Sequence, residues 1–173
     1  MSGLRFLLPA LLLAQAAQAA LPTQSEALAL IFPGAKLARR EHFLSAVQMA
    51  QVKQLAGTEL RNPFTVEYVA TREGHVLGYA FFDSHPVRTQ LETAMVAVSP
   101  EGAVLRVEVI VFHEPQEYRA PAVWTKQLEG KTLKPSLSLK GDIHPLSGAS
   151  LTAQALTDAT RRSLALFQIC HPR

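Results

Sequence analysis

From Phe64 to Phe112 the chain keeps close to a period of two, and that pattern restricts it to strands lying over an apolar core. Phe64-Thr65-Val66-Glu67-Tyr68-Val69 alternates loosely, Glu73-Gly74 reads as a turn, and His75 to Phe82 reads as the return strand of a hairpin. Asp83-Ser84-His85-Pro86 is expected to break that strand. Thr93 to Val98 is a third strand, Pro100-Glu101-Gly102 a turn and Val104 to Phe112 a fourth strand. In that last strand Arg106 and Glu108 share one face while Leu105, Val107 and Val109 share the other. The result is a half-buried antiparallel meander, and its apolar face needs helices to cover it.

Helical spacing flanks the meander on both sides. Thr23 or Ser25 caps a short helix through Ile31, which Pro33-Gly34 stops. A second helix is expected from about Arg40, with Phe43, Leu44, Val47, Ala50 and Leu55 as its stripe and Gly57 as its end. After Phe112 the stretch His113 to Asp142 is irregular, spaced by Pro115, Pro121 and Pro135, and Trp124 and Leu128 mark a short helical turn packed on the domain. A final helix runs from about Leu151 to Phe167, burying Leu156, Ala159, Ser163, Leu164 and Phe167 and turning Arg161-Arg162 to water. The predicted fold is α+β: a twisted antiparallel sheet with helices packed on one face.

The N-terminus reads as an export signal. Arg5, an apolar run from Phe6 to Leu13 and the small residues Ala14 to Ala19 follow one another in secretory order, with cleavage expected after Ala17-Gln18-Ala19. The apolar run falls short of the about 20 residues that span a bilayer, and an uncleaved anchor is the alternative. This divides the chain into residues 1–19 as signal peptide, 20–58 as an N-terminal helical portion and 59–173 as the main domain. The single Cys170 allows no internal disulfide, so packing must hold the domain together. A haem attachment through Cys170-His171 would need a second cysteine where Phe167 stands. The formal net charge of +3 is spread along the chain without a basic cluster, which gives no support to a nucleic-acid partner.

Chemistry concentrates in Leu146-Ser147-Gly148-Ala149-Ser150-Leu151-Thr152, a run of small residues and hydroxyls where the last helix begins. A helix start presents unpaired backbone N–H groups and the positive end of the dipole, which together stabilise a phosphate. Serines and threonines in such places also serve as ordinary N-caps. No catalytic triad, P-loop or metal-spaced His/Cys cluster is found elsewhere in the chain.

Ser147-Gly148-Ala149-Ser150-Leu151-Thr152 resembles the Ser-Gly-Ala-Thr-x-Thr signature of the FMN-binding domain family, which includes the flavin subunits of sodium-pumping NADH:quinone reductases and of Rnf complexes. The resemblance extends over Tyr79 to Phe167, taking in the strand Gly102 to Phe112, then His113-Glu114-Pro115, then Trp124 to Gly130; Ile31-Phe32-Pro33-Gly34-Ala35 is similar to segments of small exported flavoproteins of the group. It implies an FMN-binding-domain-like fold and an FMN esterified through its phosphate to Ser150 by a flavin transferase. It also implies electron transfer between periplasmic redox partner proteins or a membrane electron-transfer complex. Ser147, Gly148, Ala149 and Thr152 would then surround the phosphate, and Leu146, Leu151 and Trp124 would form an apolar wall for the ring, with Glu114 near the flavin. This chain departs from the family at His144, where an Asp is usual, at Ser150 in place of Thr, and at Glu114-Pro115-Gln116-Glu117, where the family has Glu-Thr-Pro-Gly. Two further readings keep the fold: a loosely held FMN in a sensory or assembly subunit, and a flavin that reduces a small substrate directly. Glu114 as a strand-end surface carboxylate, Trp124 as a core aromatic and His144 as a solvated loop histidine are the structural alternatives.

Overall fold

The structure, a computed structural model, describes residues 20–172; the expected signal peptide lies outside the described residues. Five strands form one antiparallel sheet in chain order: β1 (Lys36–Phe43), β2 (Phe64–Arg72), β3 (His75–Pro86), β4 (Leu91–Val98) and β5 (Val104–Phe112). The helices are α1 (Gln24–Ile31), α2 (Ala46–Ala56), the four-residue α3 (Ala122–Thr125) and α4 (Ser150–Cys170). The α+β class is therefore as expected, and among the described residues no helix is long and apolar enough to cross a membrane.

Helices cover both faces of the sheet and not the single face expected, because α1 carries its own apolar stripe to the side away from α2 and α4. On one face α2 and α4 pack on Phe81, Val96, Val98 and Val107, with Leu156, Leu164 and Phe167 contributed by α4 and Val52 and Ala56 by α2. Trp124 and Leu128 join this core from the loop that follows β5, as the sequence predicted for that turn. On the opposite face α1 buries Ala27, Leu28 and Phe32 against Ala70, Ala80, Met95 and Ala97. Gly78 makes that contact possible, because a Cβ there would lie 2.7 Å from the Val98 carbonyl oxygen and 3.0 Å from both Phe32 and Leu105.

Four local expectations are corrected. The helix expected from Arg40 begins at Ala46; Arg40 to Phe43 belong to β1, an edge strand that pairs with β2 through contacts such as Arg40↔Glu67 and Phe43↔Phe64. The buried face of α2 is consequently Met49, Val52 and Ala56, leaving Val47 68% exposed. Asp83 to Pro86 continue β3 instead of breaking it, paired with Ala94 to Leu91 of β4. In β5 a register irregularity between Ala97 and Val98 places Leu105 on the α1 face, away from Val107 and Val109, because one extra residue reverses the alternation.

The fourth correction concerns Arg161 and Arg162, which turn inward. Arg161 donates to the Ala56 and Leu55 carbonyls at the end of α2 and to the Lys134 and Leu137 carbonyls, tying α4 to α2 and to the long loop. Arg162 is buried and forks onto Asp83 of β3, Nε to Oδ2 at 2.7 Å and Nη2 to Oδ1 at 2.8 Å.

Candidate anion site at the start of α4

Ala149 is the N-cap of the 21-residue α4, and no side chain caps the helix. The first-turn N–H groups of Ser150, Leu151 and Thr152 are thus left for a ligand, and no acidic residue sits in that turn to neutralise the dipole. Gly148 makes the approach with φ +77°, a left-handed conformation, and a Cβ placed on it would meet nothing within 4 Å. The backbone before the helix is therefore open to a close-lying group. Ser150 itself is exposed.

A pocket of about 200 Å³ opens here, lined by Gly148, Ala149, Ser150, Leu151 and Thr152, by Glu114 and Tyr118 from the loop after β5, and by Val87 and Arg88 from the β3–β4 turn. Six residues singled out in the sequence thus share one cavity. Three others do not line it. Ser147 is exposed beside it, and Leu146 packs against the main core. Trp124 is a core residue whose indole N–H donates to the His144 carbonyl at 2.9 Å. Gln127 brackets the same peptide, accepting from the His144 N–H at 2.7 Å and donating to its carbonyl at 3.3 Å. Trp124 and Gln127 therefore position the loop that leads into Ser147, while the His144 side chain is exposed.

Two roles expected of pocket residues change. Thr152 has no free hydroxyl for a phosphate, since its Oγ1 donates to the Tyr118 carbonyl at 2.7 Å and pins the Gln116–Tyr118 turn to α4. Glu114 is buried, not a surface carboxylate; its Oε1 accepts from the backbone N–H groups of Arg88, Thr89 and Gln90 at 3.0, 2.8 and 2.9 Å. The Gln90 and Thr89 N–H groups, with help from Arg88, hold the Glu114 carboxyl below its ordinary range. This fixes the turn that presents Arg88, whose guanidinium lies 5.9 Å from the Tyr118 ring centroid. Arg88 and Tyr118 were missed in the sequence. A basic residue after Pro86 was visible, but only the pairing of β3 with β4 brings it opposite α4.

A second, larger cavity of about 860 Å³ lies between the α2–β2 connection, the end of β3 and α4. Its inner wall holds a buried ionic chain, in which Asp83 Oδ1 bonds His85 Nδ1 at 2.8 Å and His85 Nε2 bonds Glu92 Oε2 at 3.0 Å. Burial raises the Asp83 carboxyl, but the bonds from Arg162 and His85 outweigh it and hold the group at about 2. Burial lowers the His85 imidazole, yet its bonds to Asp83 and Glu92 leave it raised, and burial pushes Glu92 up. On the neighbouring strand β2, buried Glu67 joins His42 at 3.2 Å and His171 at 2.5 Å. Among the described residues no three His, Cys, Asp or Glu side chains are arranged to hold a metal ion. Comparison with known protein families, with curated proteins and with solved structures returns no match.

Proposed function

We propose that this protein is an exported flavoprotein that carries FMN as a phosphoester of Ser150 and passes electrons between periplasmic or membrane-bound redox partners. The observation that carries the reading is the juxtaposition at the start of α4: an exposed serine hydroxyl on an uncapped helix N-terminus, beside Gly148 and facing Arg88. A phosphate on Ser150 would accept from the first-turn N–H groups and lie near the Arg88 guanidinium. The pocket is smaller than the roughly 300–1,000 Å³ of a site that encloses a drug-sized molecule. It suits the phosphate and the start of the ribityl chain, and leaves Leu151, 51% exposed, with Tyr118 and Val87 as apolar surface for a ring held largely outside. When bound, FMN supplies the one- and two-electron chemistry; the chain supplies the hydroxyl, the anion site and the turn that Glu114 holds in place. The work of Trp124 and Gln127 on the His144 peptide supports the same reading, because it sets the approach of the acceptor loop.

Co-expression with a flavin transferase, denaturing electrophoresis and in-gel fluorescence test it. The expected result is a fluorescent band for the wild type that Ser150→Ala abolishes and Ser150→Thr retains. A dark wild-type band would favour the loosely bound FMN reading, and fluorescence that survives Ser150→Ala would contradict attachment at this residue.

A further inference from the structure

β1 ends the sheet on one side, and among the described residues its backbone bonds only to β2. The register against β2 runs without a shift from Lys36 to Phe43, and the strand holds no proline, so it presents a regular edge to a further strand. The helices pack chiefly on β3, β4 and β5, away from this edge. Leu37, Arg39, Glu41 and Phe43 share one face of the sheet, the face on which Ala70, the partner of Leu37, lies under α1. Phe43 is 79% exposed and Leu37 37%, and Arg39 forms an ion pair with Glu41 within the strand.

Charges on an edge strand exclude most partners, but their order in β1 matches its own copy. A strand that pairs antiparallel with itself about a two-fold axis must be centred on a residue, because facing residues turn their backbone groups the same way. Centring on Arg40 sets Arg39 against Glu41 twice, Leu37 against Phe43 twice and Ala38 against His42 twice. The neighbouring centres lose this match. About Arg39, that arginine meets itself and Leu37 faces Glu41; about Glu41, that carboxylate meets itself and Phe43 faces Arg39. The cost of the favoured centre is one Arg40 pair at the axis, on the opposite face, where each Arg40 stands beside Glu67 of its own β2.

We propose that a second copy of this chain docks on β1, joining the two sheets through a symmetric antiparallel β1–β1 pair centred on Arg40. Arg39, Glu41 and their copies then form a square of alternating charge, and a Leu37–Phe43 pair on either side of it covers apolar surface that is exposed in the single chain. The backbone bonds supply the attraction, and the side-chain order sets the register.

Sedimentation velocity of the purified protein over a dilution series tests the proposal. The wild type should sediment with the mass of two chains and fall to that of one on dilution. Arg39→Glu and Glu41→Arg each set four like charges beside the axis, so each variant alone should remain a single chain. Mixed in equal amounts, the two variants should associate again, because each supplies the charges that the other lacks. Arg39 and Glu41 are both exposed, so neither change endangers the fold. A wild type that stays a single chain at every concentration, a Glu41→Arg protein that associates like the wild type, or a mixture of the variants that stays apart would overturn the proposal. Ser150 lies at the start of α4 and is unchanged in both variants, so the fate of the flavin is a separate outcome.

Discussion

Single side chains in this protein act mostly by organising backbone. Glu114 satisfies three successive N–H groups, Thr152 holds the Tyr118 carbonyl, and Trp124 holds the His144 carbonyl. Replacing Trp124 by Phe keeps much of the packing and removes the indole donor, so it should cost about 1 kcal/mol from that bond; urea unfolding would measure it. An unchanged midpoint would mean that the His144 peptide does not need the indole. The Arg162–Asp83–His85–Glu92 chain makes stability depend on pH with a definite sign. Asp83 lies at about 2 in the fold against an ordinary 3.8, so its contribution is complete above 3.8 and about 2 kcal/mol is lost as the pH falls to about 2. Glu92 and His85 are raised above 4.5 and 6.5, so their contributions are complete below those values and are lost as the pH rises through the folded values. Stability from this chain should peak near about pH 4, and urea unfolding that shows no acid loss below that point would contradict the assignment. The motif residues Gly148 to Thr152 could be located from sequence because a helix start and small residues are local properties. That Thr152 would spend its hydroxyl on Tyr118, 34 residues away, could not be.

Among the secondary-structure elements, strands with one buried face declared themselves. The alternation of β5 from Arg106 onward and the Glu73-Gly74 and Pro100-Glu101-Gly102 turns were readable because each rests on neighbours in sequence, whereas the irregularity that turns Leu105 to the α1 face depends on the pairing with β4. β1 was not. Lys-Leu-Ala-Arg-Arg-Glu-His-Phe is almost wholly exposed on a sheet edge, so no burial pattern marks it, and its charges suit an edge that resists indiscriminate pairing with other chains. With β1 hidden, the α2 stripe was displaced onto Val47 and Leu55, whereas Val52 and Ala56 meet the core. The contrast is measurable in equilibrium unfolding. Leu156→Ala in α4 removes a fully buried side chain and should cost about 2–5 kcal/mol, while Val47→Ala should stay within about 0.5 kcal/mol. A costly Val47→Ala would restore the displaced stripe. α4 was read correctly on its apolar face and wrongly at Arg161 and Arg162, because their partners, the α2 carbonyls and Asp83, come from distant parts of the chain.

Taken whole, the molecule places α1 on one face of the sheet and α2 and α4 on the other, and α4 borders both cavities. Its N-terminus offers Ser150 and a dipole, and its middle anchors β3 through Arg162 and Asp83. The proposed export would give the proposed tether a purpose, since a dissociated FMN outside the cytoplasm is diluted and not readily replaced. The most direct test is peptide mapping of protein produced with a flavin transferase. Trypsin cuts after Lys140 and Arg161, releasing Gly141–Arg161 with Ser147 and Ser150 both inside. This peptide should carry one FMN less one water, with fragment ions placing the addition on Ser150; an unmodified peptide, or an addition on Ser147, would contradict attachment of the flavin at the start of α4.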